Sequence, residues 1–355
     1  MATELFRSYR LSIEAVTPLH VGGGEGRLVR DVDFIADRGQ IYLIDPERVW
    51  QRIGEEQLRH WNASDFRLSE LISPSDYAAC ARLIVPIQGH VEFGSGLLSH
   101  IHDVNGWPYL PGSSLKGALR SALLRAVDGP IDVAQIGHQR NKAGEMIEGS
   151  VWGKTPNTSM LRTLRIGDSQ PVEPSTLRAV VVAVYSLRGS RLEPKGQGYR
   201  WSVLALPAGT RLEARLSIDQ YTQAQTRFST WPKALLDELP KRVRQAANEL
   251  IASERAFFSE VELHAVSRFY DRLAGQAATD QESFYLPIGW GTGWLAKTLG
   301  PALRDTAGFA EIRTRFGLGR DGAPFPKSRR LVETAPDQPA EPVGWAKLTL
   351  RTEAK

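Results

Sequence analysis

Residues 111–123 constrain this chain more than any other stretch. Pro111-Gly112 makes a turn, Ser113 and Ser114 offer N-cap side chains, and Leu115, Ala118, Leu119, Ala122 and Leu123 recur at helical spacing. The pattern predicts a helix from Ser113 to about Val127 with one apolar face. Lys116 and Arg120 fall on another face, close to the helix start. Cations there oppose the helix dipole, by about 0.3–1 kcal/mol each. Free backbone N–H groups together with two cations suit an anion, a phosphate above all. The same residues also fit a plain surface helix with solvated charges.

The remainder alternates strands and helices in two similar halves. Tyr9, Leu11, Ile13 and Ala15 alternate with Arg10, Ser12 and Glu14, which predicts a half-buried strand. It ends at Thr17-Pro18-Leu19-His20-Val21, and a glycine loop follows, Gly22-Gly23-Gly24-Glu25-Gly26. Residues 33–35 and 40–44 read as a hairpin about Asp37-Arg38-Gly39, and Asp45-Pro46 opens a short helix to Ile53. Residues 59–99 are mixed. Residues 137–150, polar and glycine-bearing, read as a mobile loop. Residues 178–185 form an apolar strand, and Leu212, Ala214, Leu216 and Ile218 mark another. Arg211-Leu212-Glu213 echoes Arg10-Leu11-Ser12, a weak sign of duplication.

Residues 241–268 carry the longest helical pattern, with Val243, Ala247, Leu250, Ile251, Phe257, Phe258 and Val261 on one core-facing side. Gly289-Trp290-Gly291-Thr292-Gly293 is a second glycine loop, running into 294–299. The Pro-rich stretch 335–342 reads as a surface linker and 345–350 as a closing strand.

A chain of 355 residues is long enough for two domains, and 42% hydrophobic residues fill real cores. Net charge is only +4, but its distribution is uneven: residues 313–330 hold six basic residues against Asp321, and 178–200 hold five against Glu193. Local basicity on a mild background suits a polyanion-binding face. The single cysteine, Cys80, excludes an internal disulfide framework and a cysteine-based zinc cluster. No apolar run approaches the ~20 residues of a membrane span. Nor is there a signal-peptide core, so the expectation is a soluble, cytoplasmic protein with no membrane partner.

Most catalytic constellations fail. Residues 291–298 evoke a phosphate-binding P-loop, but that motif needs glycine before its lysine, and here Ala296 precedes Lys297. Neither glycine loop has dinucleotide-binding spacing. His100 and His102 share one strand face beside Asp103, a pattern open to metal binding, acid–base work or simple structural hydrogen bonding. His20 is a single candidate base, and Asp31 and Asp33 could hold magnesium or activate a ribose hydroxyl. The glycine loops are the better signal. Glycine lets a backbone approach a ligand closely and present its N–H groups.

These residues carry a resemblance. The run Thr17–Gly24 and the later Tyr109–Arg120 are similar to the repeat-associated (RAMP) proteins of CRISPR systems. Val151-Trp152-Gly153 and Leu164–Ser169 resemble motifs that follow in type III members. Leu286–Thr298, with Phe325-Pro326-Lys327-Ser328-Arg329-Arg330-Leu331, narrows the resemblance to the Csm-type head subunits of type III-A effector complexes. It implies an α+β fold of two ferredoxin-like, RRM-type modules with insertions and glycine-rich loops. The division falls at 1–170, the N-terminal module, and 171–355, the C-terminal module with the long helix.

The resemblance also implies a non-catalytic role: capping the backbone filament, gripping the 3′ portion of the CRISPR RNA and supporting its maturation. The implied partners are that RNA, a neighbouring Csm backbone subunit, the small subunit, and target RNA through the complex; no cofactor or metal is implied. Residues expected to meet RNA are Gly22, Gly23, Gly24, Arg27, Arg30, Ser113, Ser114, Lys116, Arg120, Gly291, Gly293, Lys297, Lys327, Arg329 and Arg330. No aromatic RNP signature stands on a strand, so recognition should run through phosphate and ribose. The alternative is an endoribonuclease using His20 or Asp31 and Asp33, whose flanking residues differ from those of the related cleaving subunits. A free-standing small-molecule enzyme has no constellation in its favour.

Overall fold

In the first strand, Phe6–Ala15, the alternation of the sequence becomes a buried and an open face. Leu11, Ile13 and Ala15 are buried while Arg10 is exposed. The computed structural model describes residues 5–54, 67–91, 93–94, 96–127, 132–225, 232–304, 306–319 and 324–353. In it, Phe6–Ala15 is the middle strand of a five-stranded antiparallel sheet, flanked by Trp345–Thr352 and Arg211–Asp219. Ser283–Pro287 and Leu164–Ile166 form its edges. The two echoing segments lie side by side, Ser12 opposite Glu213 and Ile13 opposite Leu212.

A second sheet runs, strand by strand, Gln338–Pro342, Ser328–Ala335, Arg178–Arg188, Arg200–Ala205, Leu97–His100 and Gly22–Leu28, with Arg191–Pro194 folded back on the Arg178 strand. Its centre is the run Ala179-Val180-Val181-Val182-Ala183, buried on both faces, as expected of an unbroken apolar strand with neighbours above and below. Residues 335–342, expected as a linker, are instead most of a hairpin. Asp337, with φ of 59°, turns Ser328–Ala335 into Gln338–Pro342. The first glycine run likewise is an edge strand rather than a free loop: Gly22 pairs with His100 and Arg27 with Leu98, with a bulge between. A third, small sheet joins Phe34–Asp37, Gln40–Ile44 and Ala81–Pro86. Its first hairpin is the expected one. Part of the mixed stretch 59–99 lies outside the described residues, as do Gly129, Arg320 and Asp321.

The Gly112–Arg125 helix lays Leu115, Leu119 and Leu123 into the core formed with Leu11, Ile13, Leu286 and Leu348 of the five-stranded sheet. The pattern expected as one helix over 241–268 is two, Leu239–Ser259 and His264–Thr279. Residues 260–263 break the ladder while Val261 still reaches the core. Phe258 and Tyr270 stack across this helical hairpin at 5.2 Å and pack toward Ala183, Tyr185 and Leu331 of the second sheet. The expected loop at 137–150 also differs. It holds a 3-10 turn, Arg140–Lys142, and most of the helix Glu145–Trp152, anchored by buried Ile147 and Trp152. Both large sheets take strands from either side of residue 170.

Candidate nucleic-acid interface

The helix start differs from its expectation. Pro111 occupies the cap position and Gly112 is the first helical residue, so Ser113 and Ser114 sit inside the first turn and cap nothing. The chain supplies its own anion: Gly112 N–H donates to Asp168 Oδ1 at 2.7 Å. The Ser114 and Leu115 N–H groups both reach the Pro111 carbonyl, at 3.0 and 3.1 Å. A Cβ on Gly112 would stand 2.3 Å from the Ile166 carbonyl oxygen, so this end is sealed against the Leu164–Ile166 strand. The Gly112, Ser114 and Leu115 donors are thus already engaged. Lys116 is half-buried, and loss of water holds its ammonium below its ordinary pKa. Arg120 pairs with Glu148 on the Glu145–Trp152 helix.

The crossover Thr17–Val21 joins the two large sheets and brings the glycine segments together. Thr17 and Leu19 are fully buried, and Leu19 and Leu206 exchange both backbone hydrogen bonds at 2.9 Å. On the other side, Trp290 N–H donates to the His20 carbonyl at 2.8 Å, and Gly344 N–H to that of Pro18 at 2.9 Å. Gly289 has φ of 80°, and a Cβ there would lie 2.3 Å from the His20 oxygen. Only glycine permits this approach. Gly291, at φ of 89°, similarly abuts Val343, while Gly293 opens the short helix Gly293–Lys297. Gly22, Gly23 and Gly24 lie exposed along the edge strand, followed by exposed Arg27 and Arg30.

The candidate acid–base groups are structural in their contacts. His20 is 1% exposed, its Nδ1 bonded to the Leu204 carbonyl at 2.7 Å, and burial lowers its pKa to about 4. His100 is equally buried, its Nδ1 on the Ile101 carbonyl at 2.8 Å; burial, with help from His20 and His102, lowers its pKa to about 3. Its Nε2 has no hydrogen-bond partner. His102 Nδ1 meets the Asp103 carbonyl at 2.8 Å. Asp33 Oδ2 accepts the Val29 N–H at 2.6 Å and so closes a turn, and Asp31 lies 3.8 Å from Arg30. Among the described residues no group of three His, Cys, Asp or Glu side chains could hold a metal.

The C-terminal basic residues converge better. Gly291, Gly293, Lys327, Arg329 and Arg330 all line one cleft of about 600 Å3, between the second sheet and the helical hairpin. They are not equivalent. Arg329 makes a bidentate pair with buried Glu254, with contacts of 2.8–3.0 Å, and lies 4.0 Å over the Phe257 ring. Its charge is therefore spent inside the protein. Arg330 spans Trp290 at 5.5 Å and Trp201 at 5.9 Å, with a buried Nε that has no acceptor. Desolvation lowers the pKa of both Arg330 and Lys297, and Arg330 adds like-charge repulsion on Lys297.

Sequence reasoning missed the aromatic side of this cleft: Tyr199, Trp201 and, beside them, Lys195. The available signal was the basic stretch 178–200 continuing into Tyr199-Arg200-Trp201. Arg200 itself is buried in a network with Glu333 at 3.0 Å, Asp337 and, through Glu333, Tyr185.

Fold and site together define an α+β protein with a cationic, aromatic-lined cleft of the kind that takes polyanions. The chain belongs to the RAMP superfamily, whose family model matches residues 12–296. It is similar to the CRISPR system Cms protein Csm5 of Streptococcus thermophilus, at 25% identity over 325 residues, covering 83% of this chain and 80% of the relative. Two solved structures share the fold. A chain of a Csm–crRNA–target RNA ternary complex from a type III-A CRISPR-Cas system superposes with TM-score 0.69 at 22% identity, covering 97% of this chain and all of that one. The crystal structure of T. onnurineus Csm5 superposes with TM-score 0.66 at 21% identity, covering 94% and 99%.

Proposed function

We propose that this chain is a cytoplasmic, non-catalytic RNA-binding subunit of a type III-A CRISPR effector complex. It caps the backbone filament at the 3′ end of the CRISPR RNA and supports maturation of that end. Its neighbours are then a Csm backbone subunit, the small subunit, and target RNA held by the complex. The observation that carries the reading is the convergence of Gly291, Gly293, Lys327 and Arg330 on one cleft in a RAMP chain, with Lys297 next to it and near enough to Arg330 to be repelled by it. Gly22, Gly23, Gly24, Arg27 and Arg30 form a second, exposed basic edge, with Lys116 as a further contact. Support for two ferredoxin-like modules comes from two large sheets, one packed on the Gly112–Arg125 helix and the other on the helical hairpin, with cores that draw on strands of both. The binding reading is also favoured by His20, which is sealed from solvent and so ill-placed as a base.

Reconstitution tests it. Backbone subunits and guide RNA are assembled with and without this chain, and the guide's 3′ end is mapped. The expected result is a protected 3′ portion only when the chain is present, and intact labelled CRISPR RNA when the chain alone is incubated with magnesium or with a chelator. Cutting by the lone chain, or a 3′ end indifferent to its omission, would overturn the proposal.

A further inference from the structure

The cleft holds more than a phosphate grip, and resting on the function proposed above, we infer that it seats one unstacked nucleotide of the guide's single-stranded 3′ portion, its base against Trp201 and Tyr199 and its phosphate beside Lys327 and Arg330. Four observations carry this. First, about 600 Å3 lies within the range of ~300–1,000 Å3 typical of ligand pockets, ample for one nucleotide. Second, Tyr199 is 42% exposed and Trp201 part-exposed on the same cleft wall, leaving ring surface open to a base. Third, the Trp201 ring is held in place. Trp201 meets Trp290 edge-on at 5.5 Å, and Trp290 meets buried His20 at 5.8 Å, so Trp201 is backed by the buried interior.

The fourth concerns charge. Among the described residues no carboxylate pairs with Lys297, Lys327 or Arg330, whereas Arg329 and Arg200, their neighbours, are each matched to a buried Glu. Two partly desolvated cations placed close enough to repel are costly unless an anion joins them. Lys195 already lies 3.9 Å over the Tyr199 ring and adds a further cation beside the aromatic wall. Aromatic faces accept any base, so the pocket selects single-stranded over paired RNA rather than one sequence.

The test uses the full chain and a single-stranded RNA carrying 2-aminopurine near its 3′ end. Stacking on Tyr199 and Trp201 should quench the probe, and the wild-type Kd is read from the same titration. Tyr199→Ala and Trp201→Ala should each weaken binding by about 5- to 150-fold, the range of base–aromatic stacking, and restore probe fluorescence. Trp201→Phe should recover most of both. Tyr199 is surface-exposed, so its variant keeps the question answerable even where Trp201→Ala unfolds. Wild-type binding with no quenching, or unchanged affinity in Tyr199→Ala, would overturn this inference and leave the proposed function standing. No binding of single-stranded RNA by the wild type would overturn both.

Discussion

Acidification should destabilise this protein through two histidines and spare it through one glutamate. In the unfolded chain His20 and His100 take up protons near pH 6.5; in the folded protein they resist until about pH 4 and about pH 3. Folded pKa values below the unfolded ones mean that stability is lost as pH falls below 6.5. Glu341 acts oppositely. Burial raises its carboxyl to about 7 from 4.5 despite Arg272 nearby, so its folded form holds a proton that the unfolded chain has released. Between pH 6 and 5, unfolding therefore takes up about two histidine protons and releases about one from Glu341. Each net proton is about 1.4 kcal/mol per pH unit, so stability should fall by about 1 kcal/mol per unit in that window. Urea unfolding at pH 5.0, 5.5 and 6.0 reads this slope. Glu341→Gln should roughly double it, and His100→Asn should bring it close to zero. A slope unchanged in His100→Asn would refute the assignment, because a histidine that stays protonated in the fold cannot contribute.

Other expectations separate grip from scaffold. Arg329→Ala strands buried Glu254 and should cost about 3–5 kcal/mol of stability in denaturant melts, with little change in the salt dependence of RNA binding once folding is matched. Lys116→Ala and Lys297→Gln should instead keep the melting temperature and each reduce the slope of log K against log salt by about 0.7; a slope equal to wild type would remove that residue from the RNA surface. Gly289→Ala, which drives a Cβ to 2.3 Å from a carbonyl, should yield little soluble protein. Gly23→Ala, facing Ile101 Cα at 3.4 Å in ordinary contact, should fold and report on RNA approach alone. Poor folding of Gly23→Ala would make that glycine a structural one.

Local signals in the sequence were legible where one residue type decides the outcome. The period-two pattern of residues 9–15 and the valine run after Arg178 each define a strand whatever surrounds them. The Asp37-Arg38-Gly39 hairpin is equally local, since Arg38 and Gly39 take φ of 46° and 76° and the sequence supplies a glycine for the tighter position. What was not legible depends on distant partners. Ser113 and Ser114 have the chemistry of caps, yet Asp168, 56 residues beyond Gly112, takes the Gly112 N–H. Arg329 and Arg330 are adjacent and identical in type, and only Glu254, brought in by the helical hairpin, makes one structural and leaves the other facing the cleft. The Pro-rich hairpin at 328–342 was hidden because an edge strand tolerates proline that a central one would not. The aromatic wall escaped notice for a similar reason: Tyr199 and Trp201 acquire meaning only opposite Arg330 and the second glycine loop.

The position of the first strand also sets an order of events at the ribosome. Phe6–Ala15 is made before its two neighbours, and Arg211–Asp219 and Trp345–Thr352 follow some two hundred and more than three hundred residues later. Until residue 352 has left the exit tunnel, one edge of the main sheet stays open, with Leu11 and Ile13 lacking part of their cover. Such an edge invites pairing with other chains. At about 5–20 residues per second, making the stretch between these paired strands takes tens of seconds. A stop codon placed shortly before Trp345 would leave that edge, and the facing edge of Ser283–Pro287, open for good, and its first symptom should be aggregation.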